Sequence, residues 1–547
     1  MKQSTEKTLA GLCLASFEKY KEKSAFAVFG DGKIYRRVTY GQMGNRALQI
    51  GKLLKEAGIE KGMKVMLLSE NCPEWAAAYF GIALAGAVSV PLLTGFSAGQ
   101  VQYIANHSGI SAICLSRAMA EKIDKRDFYS QIPLIYIDSI TDNESNAEIT
   151  VSLGGIEKQT PLREISECAF YPQSNPDDLA SIIYTSGTQG NSKAVMLSNS
   201  NLISCAYSSL SFVKINSRDR LLSVLPLAHS YECTLGLLAP LINGASVTYL
   251  DRPPSPSVLL TAVKIIRPTM MITVPLFIEK IYRNAIAPKL RGSRLYKCSV
   301  TRNLAVRLAG RSLISALGGC IRFFGIGGAP LSAEVEKFLH SAKFPYSIGY
   351  GLTEASPLVA GNTPLRFPAY SAGVSPEGVT VRIAKCASKT APGEGEIQVR
   401  GPNVMMGYYN DEERTAEAFT SDGWLRTGDL GRLDKKGRLY IRGRLKALIL
   451  GPCGENIYPE EIEGLLGSSK LVEDALVYSG EKGELVALVR LSDAAKAAAG
   501  AIEHALEELR SWANKKLAIF SRISRIEVQY EPFEKTPTMK IKRYLYS

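Results

Sequence analysis

Tyr184-Thr-Ser-Gly-Thr-Gln-Gly-Asn-Ser-Lys193, followed at once by Ala194-Val-Met-Leu-Ser198, is the stretch from which the rest of the chain can be interpreted. The apolar segment Leu179–Tyr184 in front of it has the character of a buried strand. Behind it come a second short apolar run and a helical pattern opening near Ser198 or Asn199, both good N-caps. Between them lie hydroxyls, glycines and one lysine, with no acid. Gly187 and Gly190 let the backbone bend so that N–H groups face an anion. Ser186, Thr188 and the amide of Gln189 add donors, and Lys193 adds a positive charge. This is the chemistry of a phosphate cradle. It is not a Walker A loop, where the lysine follows the second glycine directly and a Ser/Thr follows the lysine. Standing alone, such a turn is also an ordinary surface loop, so the assignment rests on the other stretches that agree with it.

A chain of 547 residues is too long for one core and implies two or more domains. Its 46% hydrophobic and 21% charged content is that of a globular protein. The ten cysteines, from Cys13 to Cys453, show no CxxC pair and no regular spacing. That argues against a disulfide framework or zinc site and fits a reducing cytoplasm. No signal peptide is visible, since Met1–Tyr20 carries Glu6 and Glu18 and lacks a clean apolar core. The uncharged run Trp75–Leu93 is long enough to span a bilayer, but its Ala/Gly content and the Gly86–Pro91 break predict a buried helix feeding a strand.

The net charge of +13 is spread along the chain, with one exception. Lys289–Arg322 holds eight basic residues and no acidic one, mixed with Leu, Ile, Val and Tyr. One interpretation is a solvated helical face; the other is contact with anionic lipid headgroups, which would give a cytoplasmic protein a peripheral position at the inner membrane face. No RNA-binding pattern accompanies the charge, so nucleic acid is not an expected partner.

Up to about Pro172 helical and strand patterns alternate, as at Gln42–Ala57, Val65–Leu68 and Ile110–Leu115. Asp138–Thr160, polar and without periodicity, is expected to be a loop. After the cradle the short apolar runs Leu221–Leu225, Ser246–Leu250, Met270–Val274 and Ile321–Ile326 each lead into Gly, Pro or polar residues. In open α/β sheets ligands bind beyond the carboxyl ends of strands, so chemistry should follow these runs. One such place is His229, in Leu225-Pro-Leu-Ala-His229. Another is Gly325-Ile-Gly-Gly-Ala-Pro330, before a helix starting near Ser332. In Tyr350-Gly-Leu-Thr-Glu354, Thr353 can donate to a phosphate oxygen, Glu354 can hold Mg²⁺, and Tyr350 offers an aromatic face to a purine. In Asp422-Gly-Trp-Leu-Arg-Thr-Gly428-Asp429, the Asp429 carboxylate is a natural bidentate acceptor for a diol.

In their order these segments resemble the signatures of the adenylate-forming (AMP-binding) enzymes, which include acyl-CoA synthetases, luciferases and peptide-synthetase adenylation domains. The resemblance runs from about Leu9 to Tyr546. The Pro268–Tyr282 segment, Gly325–Ser332 and Glu534–Tyr546 look most like the bacterial long-chain fatty acyl-CoA synthetases. Gln189, Ser192 and Ala194 stand where the family has Thr, Pro and Gly, and Met539 precedes Lys540 where glycine is usual; none of these removes a charge. The resemblance implies a large N-terminal domain of layered α/β sheets (1–445) carrying the ATP and acyl pockets, and a small mobile α+β domain (446–547). The hinge would be Lys446, and the catalytic lysine Lys540 would lie beyond it.

It further implies that ATP is held by Thr185, Ser186, Gly187, Thr188, Gln189, Gly190, Lys193, Gly328, Ala329, Pro330, Tyr350, Gly351, Thr353, Asp429 and Arg444. His229, Gly327 and Leu352 would form the acyl pocket, and Gly454 the path of the incoming thiol. Catalysis would fall to Lys540, Glu354, Thr188 and Lys193, with Glu354 on Mg²⁺. The implied reaction is ATP-dependent activation of a medium- or long-chain fatty acid through an acyl-adenylate, then transfer to CoA with release of AMP and pyrophosphate. An attacking carboxylate is already ionised near neutral pH, so no general base is required. Two alternatives remain: an acyl–acyl-carrier-protein synthetase sharing the first step, and a non-catalytic nucleotide-binding scaffold at a membrane.

Overall fold

The computed structural model describes residues 7–123, 132–140, 148–153, 156–161, 174–185, 193–385, 392–450, 456–480, 484–492, 502–536 and 541–546. Among them, most strands fall into two large mixed sheets and a smaller antiparallel one. In the eight-stranded sheet, Phe323–Ile326, Met270–Thr273, Arg220–Leu222 and Ser246–Leu250 run parallel side by side. Side chains alternate between its faces. Met270 and Phe323 join one core while Met271 and Phe324 join another, as expected of a parallel sheet covered on both sides. The nine-stranded sheet holds Lys64–Leu68, Val88–Pro91, Ile110–Leu115 and Leu179–Thr185.

The larger core gathers residues of both sheets around the helices Leu9–Lys19, Tyr40–Glu56 and Pro73–Leu84. Trp75, Tyr79 and Phe80 are almost wholly buried there. Trp75–Leu93 is therefore a buried helix leading into Val88–Pro91, as its composition predicted. Among the described residues no helix is long and apolar enough to cross a membrane. The smaller core lies on the other face of the eight-stranded sheet, under the helices Pro256–Ile266, Arg302–Ala316 and Ala333–Ser341.

One expectation is overturned. Within Asp138–Thr160, assigned to a loop, Glu148–Leu153 and Ile156–Pro161 form an antiparallel hairpin that extends the nine-stranded sheet beyond Leu134–Tyr136. At a sheet edge the backbone ladder supplies the hydrogen bonds whatever the side chains are, and a single anchored residue is enough to fix the register. Here Ile149 is fully buried, and Thr150 donates its N–H to Ser139 Oγ (2.7 Å). Ile149, Val151 and Leu153 alternate with polar residues, so the first of these strands was legible in the sequence; the edge strand Ile156–Pro161, polar from Glu157 to Thr160, was not.

The strands at the two ends of the quoted stretch pair with each other. Leu179–Thr185 pairs antiparallel with Lys193–Ser198, bringing Thr185 opposite Lys193. Ser198 then caps the helix Asn199–Ser209. Its hydroxyl accepts from Asn201 N–H, and the Asn201 amide accepts from Ser198 N–H. The cap fixes the direction in which the chain leaves the strand Lys193–Ser198. Ser198→Ala should lower the unfolding free energy by about 1 kcal/mol, read as an earlier urea midpoint for the large lobe.

Past Leu439–Arg444, a single 3₁₀ turn at Leu445–Ala447 leads to a small α+β unit. It contains the sheet Val472–Ser479, Leu485–Leu491 and Arg525–Val528, the helices Pro459–Leu466 and Ile502–Asn514, and a core of its own.

Candidate active site

Three sheets meet at the carboxyl ends of the parallel strands. Gly327–Pro330 follows Phe323–Ile326, and Thr353–Glu354 follows Tyr346–Gly351. The strand Lys193–Ser198 approaches from the nine-stranded sheet, and Leu425–Leu433 and Leu439–Arg444 approach from the antiparallel sheet. Residues scattered over more than 250 positions of sequence thus share one region, as the strand-end rule requires.

Its most informative contact was invisible in the sequence. Lys193 Nζ donates to Tyr408 Oη (3.1 Å) and lies 4.7 Å from the centre of the ring. Tyr408 Oη in turn donates to Glu354 Oε1 (2.9 Å). A neutral phenol therefore spaces the predicted phosphate lysine from the predicted metal carboxylate. Burial, reinforced by the Glu354 charge, holds the phenol above its ordinary pKa, so it stays a donor. Tyr408 is carried by the two-residue strand Gly407–Tyr408, which pairs with Val195 and Met196. The segment before it is stitched to the Glu354 turn. Met405 N–H donates to Glu354 O (2.9 Å), and the fully buried Asn403 donates to the carbonyls of Ala355 (3.0 Å) and Leu358 (2.8 Å). Gly351 is fixed by close approach, since a Cβ there would lie 1.8 Å from Pro357 O.

A second chain runs alongside. Tyr350 Oη donates to Asp429 Oδ2 (2.7 Å), and Arg444 Nε lies 3.1 Å from Asp429 Oδ1. Asp429 is buried while Arg444 is half exposed. Burial foremost, then the Asp429 charge, raises the Tyr350 phenol well above its usual pKa. Tyr350, Asp429 and Arg444 are thus brought together. Gly328, Ala329 and Pro330 stand exposed at the neighbouring strand end, with Gly328 at φ +85°. Thr185 and Thr353 are half-buried at the margins.

His229 follows Arg220–Leu222, and its Nδ1 accepts from Tyr231 N–H (3.1 Å), which assigns the ring proton of the neutral imidazole to Nε2. Two residues on, Tyr231 forms part of the wall of a small apolar cavity of about 50 Å³. Tyr231, Leu235, Gly325, Gly349 and Leu358 are among the residues lining it. Gly327 borders the same wall, since a Cβ there would sit 3.3 Å from the Tyr231 ring. Leu352 is half-buried and anchored by its N–H to Pro357 O (3.0 Å). Ser186, Gly187, Thr188, Gln189, Gly190, Gly454 and Lys540 lie outside the described residues. Lys446 is exposed in the connecting turn.

Two further supporting residues went unnoticed in the sequence. Asn71, just past the strand Lys64–Leu68, donates to Leu225 O (2.6 Å) and Ser223 Oγ (3.2 Å) and accepts from Leu227 N–H (2.8 Å). It clamps the loop that carries His229 onto the other large sheet; a polar residue three positions beyond a strand end was the only sequence signal. Glu232, 1% exposed, opens a π-helix at Glu232–Leu238 and accepts from Ser223 Oγ (2.6 Å). Burial pushes its carboxyl up to about 8, against the lowering effect of the serine.

The AMP-binding enzyme family model matches residues 14–409, and the model of the AMP-binding enzyme C-terminal domain matches 447–546. The chain belongs to the AMP-binding enzyme family. Relatives similar to this AMP-binding enzyme include the long-chain-fatty-acid–CoA ligase heimdall of Drosophila melanogaster, 30% identical over 90% of this chain and 77% of its own. The peroxisomal long chain acyl-CoA synthetase 6 of Arabidopsis thaliana is 31% identical over 94% and 80%. The O-succinylbenzoate coenzyme A synthetase of Bacillus subtilis in complex with AMP shares the fold, with a TM-score of 0.75 at 24% identity over 98% of this chain and 97% of that one.

Glu232 gives the AMP-binding domain a pH signature. Its folded pKa lies above the unfolded one, so the native state binds the extra proton and stability falls as pH rises from 4.5 towards 8. Glu232→Gln should remove that loss. Its melting temperature should match the wild type near pH 4.5 and exceed it increasingly up to pH 8, by an amount worth a few kcal/mol. Tyr408→Phe should break the Lys193–Tyr408–Glu354 chain without disturbing the core, and weaken ATP binding about fivefold or more by calorimetry.

Proposed function

We propose that the protein is an ATP-dependent fatty acid–CoA ligase acting on medium- or long-chain acids. The observation that carries this is an apolar cavity lying directly beside strand-end loops built for a nucleotide. The Tyr350–Asp429–Arg444 chain offers a buried carboxylate to a ribose diol and a ring beside it. The Lys193–Tyr408–Glu354 chain sits where the phosphates would follow. Glycines and aliphatic groups line the cavity next to His229, which suits an uncharged hydrocarbon tail better than an amino acid. The relatives' own activities, long-chain fatty acid–CoA ligation in the fly protein and acyl-CoA synthesis in the plant one, support the same substrate class.

An acid carboxylate and an ATP phosphate repel one another, so catalysis must gather positive charge around the transferring group and leave little for a base to do. Lys193 supplies one cation, and Arg444 neutralises Asp429. Glu354 would hold Mg²⁺. Tyr408 engages one of its oxygens and leaves lone pairs for a hard cation, whose role when bound is to spread charge over substrate phosphates. His229, whose Nδ1 accepts from Tyr231 N–H, offers Nε2 as a donor near the cavity wall formed by Tyr231. The acyl-adenylate needs shelter from water. We assign that shelter to the small domain, with Lys446 as the hinge and Lys540 as the lysine it brings in.

Contacts across the join fit this assignment. Glu394 of the antiparallel sheet accepts from Arg442 Nε (2.6 Å) and from Tyr458 Oη (3.2 Å), just before the helix Pro459–Leu466. Such a polar contact can be remade in another orientation at little cost. The flanks of Lys540 are themselves held. Lys535 pairs with Ile541 as a β-bridge and binds Asp474 (2.8 Å), and Arg543 donates to Glu463 (2.6 Å).

Lys540→Ala should abolish fatty-acid-dependent pyrophosphate release while ATP affinity stays within about twofold of wild type. A panel of acids of increasing length, scored by pyrophosphate release and then by thioester formed with CoA or with acyl carrier protein, tests the substrate and the acceptor. Equal rates with and without acid would refute the proposal.

A further inference from the structure

The basic run Lys289–Arg322 is not one surface once folded. Arg322 is tied to the buried Asp219, with Nε 2.7 Å from Oδ1, and Arg291 pairs with Glu334 (2.9 Å). The other six cations are exposed. The helix Arg302–Ala316 buries Ala305, Val306, Gly310 and Leu313 against the smaller core. Its opposite stripe, at spacings of three and four, is Leu304, Arg307, Leu308 and Arg311. A merely solvated face would be polar there. Instead Leu304 is 52% and Leu308 44% exposed, and in the turn before the helix Val300 is 87% exposed. The helix Pro256–Ile266 packs beside it and repeats the pattern, with Leu260, Lys264 and Ile265 exposed. Neither helix contains an acid.

We propose that this face docks the protein on an anionic lipid surface, with the leucines and valine at the acyl boundary and the arginine stems reaching up to headgroup phosphates. Apolar groups interleaved with cations on one helix face match the interface of a bilayer, where long basic side chains keep their charge in water while their stems lie in the apolar layer. Charge complementarity selects anionic lipid over neutral lipid, and each cation near such a surface adds to the attraction. The helix lies on the bilayer and does not cross it: it has 15 residues, and a span needs about 20 predominantly apolar ones. The proposal stands apart from the catalytic assignment, because none of these residues belongs to the site.

The full chain should float with phosphatidylcholine vesicles containing phosphatidylglycerol, and not with phosphatidylcholine alone. It should be released at about 1 M salt, where charges are screened within about 3 Å. R307E/R311E should lower the partition into anionic vesicles about thirtyfold or more. L304S/L308S should lower it as well with every charge kept, which distinguishes insertion from ion pairing. Both variants should retain the wild-type circular dichroism and the wild-type ATP affinity, and R307Q/R311Q replaces the charge reversal if that variant does not fold. Wild-type protein left at the bottom of the gradient would overturn the proposal. So would undiminished flotation of either double variant, or capture of an acidic carrier protein by this face in place of vesicles.

Discussion

A tyrosine hydroxyl held between a cation and an anion is the contact on which the centre of this protein depends. Tyr408 receives the Lys193 ammonium and gives its own proton to Glu354, so two opposite charges are fixed near one another without collapsing into a closed ion pair. A closed pair would use up the valences that a substrate needs. The arrangement exists only because Gly407–Tyr408 adds to the strand Lys193–Ser198 while Met405 and Asn403, just before it, are bonded to the turn that carries Glu354. These four residues thereby lock two sheets and a loop into register.

The surroundings of that contact divide the work physically. On one side the partners are charged and reach solvent, as Arg444 does over Asp429. On the other the wall is mainly glycine, aliphatic carbon and the rings of Phe212, Tyr231 and Phe323. The same π-helix that contributes Leu235 to this wall begins at Glu232, a carboxyl kept neutral by burial. Thr234 in that helix donates to Ser356 O (2.8 Å), tying the apolar wall to the Glu354 turn. Polar anchoring behind an apolar lining gives the cavity a defined shape without exposing charge to a hydrocarbon tail.

The small C-terminal unit has its own core and reaches the rest through polar contacts around Glu394. That division suits a reaction in two stages, in which a reactive intermediate is first enclosed and then presented to a second substrate. A rigid apolar interface would oppose such motion.

Much of this was legible in the sequence. Strands such as Ile110–Leu115 and Ser246–Leu250 have the bounds that their apolar runs indicated, because a buried strand writes itself as a mainly apolar run. Glu354 was identifiable as a turn residue after a strand end, whereas Tyr350, Asp429 and Arg444, which lie within strands, were identifiable from side-chain chemistry and family resemblance. The edge strand Ile156–Pro161, the clamp Asn71, the buried acid Glu232 and the bridging Tyr408 were not. The positions of Asn71 and Tyr408 follow from partners far away in the chain, Ser223 for Asn71 and Lys193 for Tyr408. The sequence by itself determined most of the strands and helices and which loops carry donors, since those depend on neighbours within a few residues. Which of those loops share a site, which cations of the basic run face outward, and which phenol bridges two charges were decided only by tertiary structure, because such contacts depend on distances that chain order does not encode.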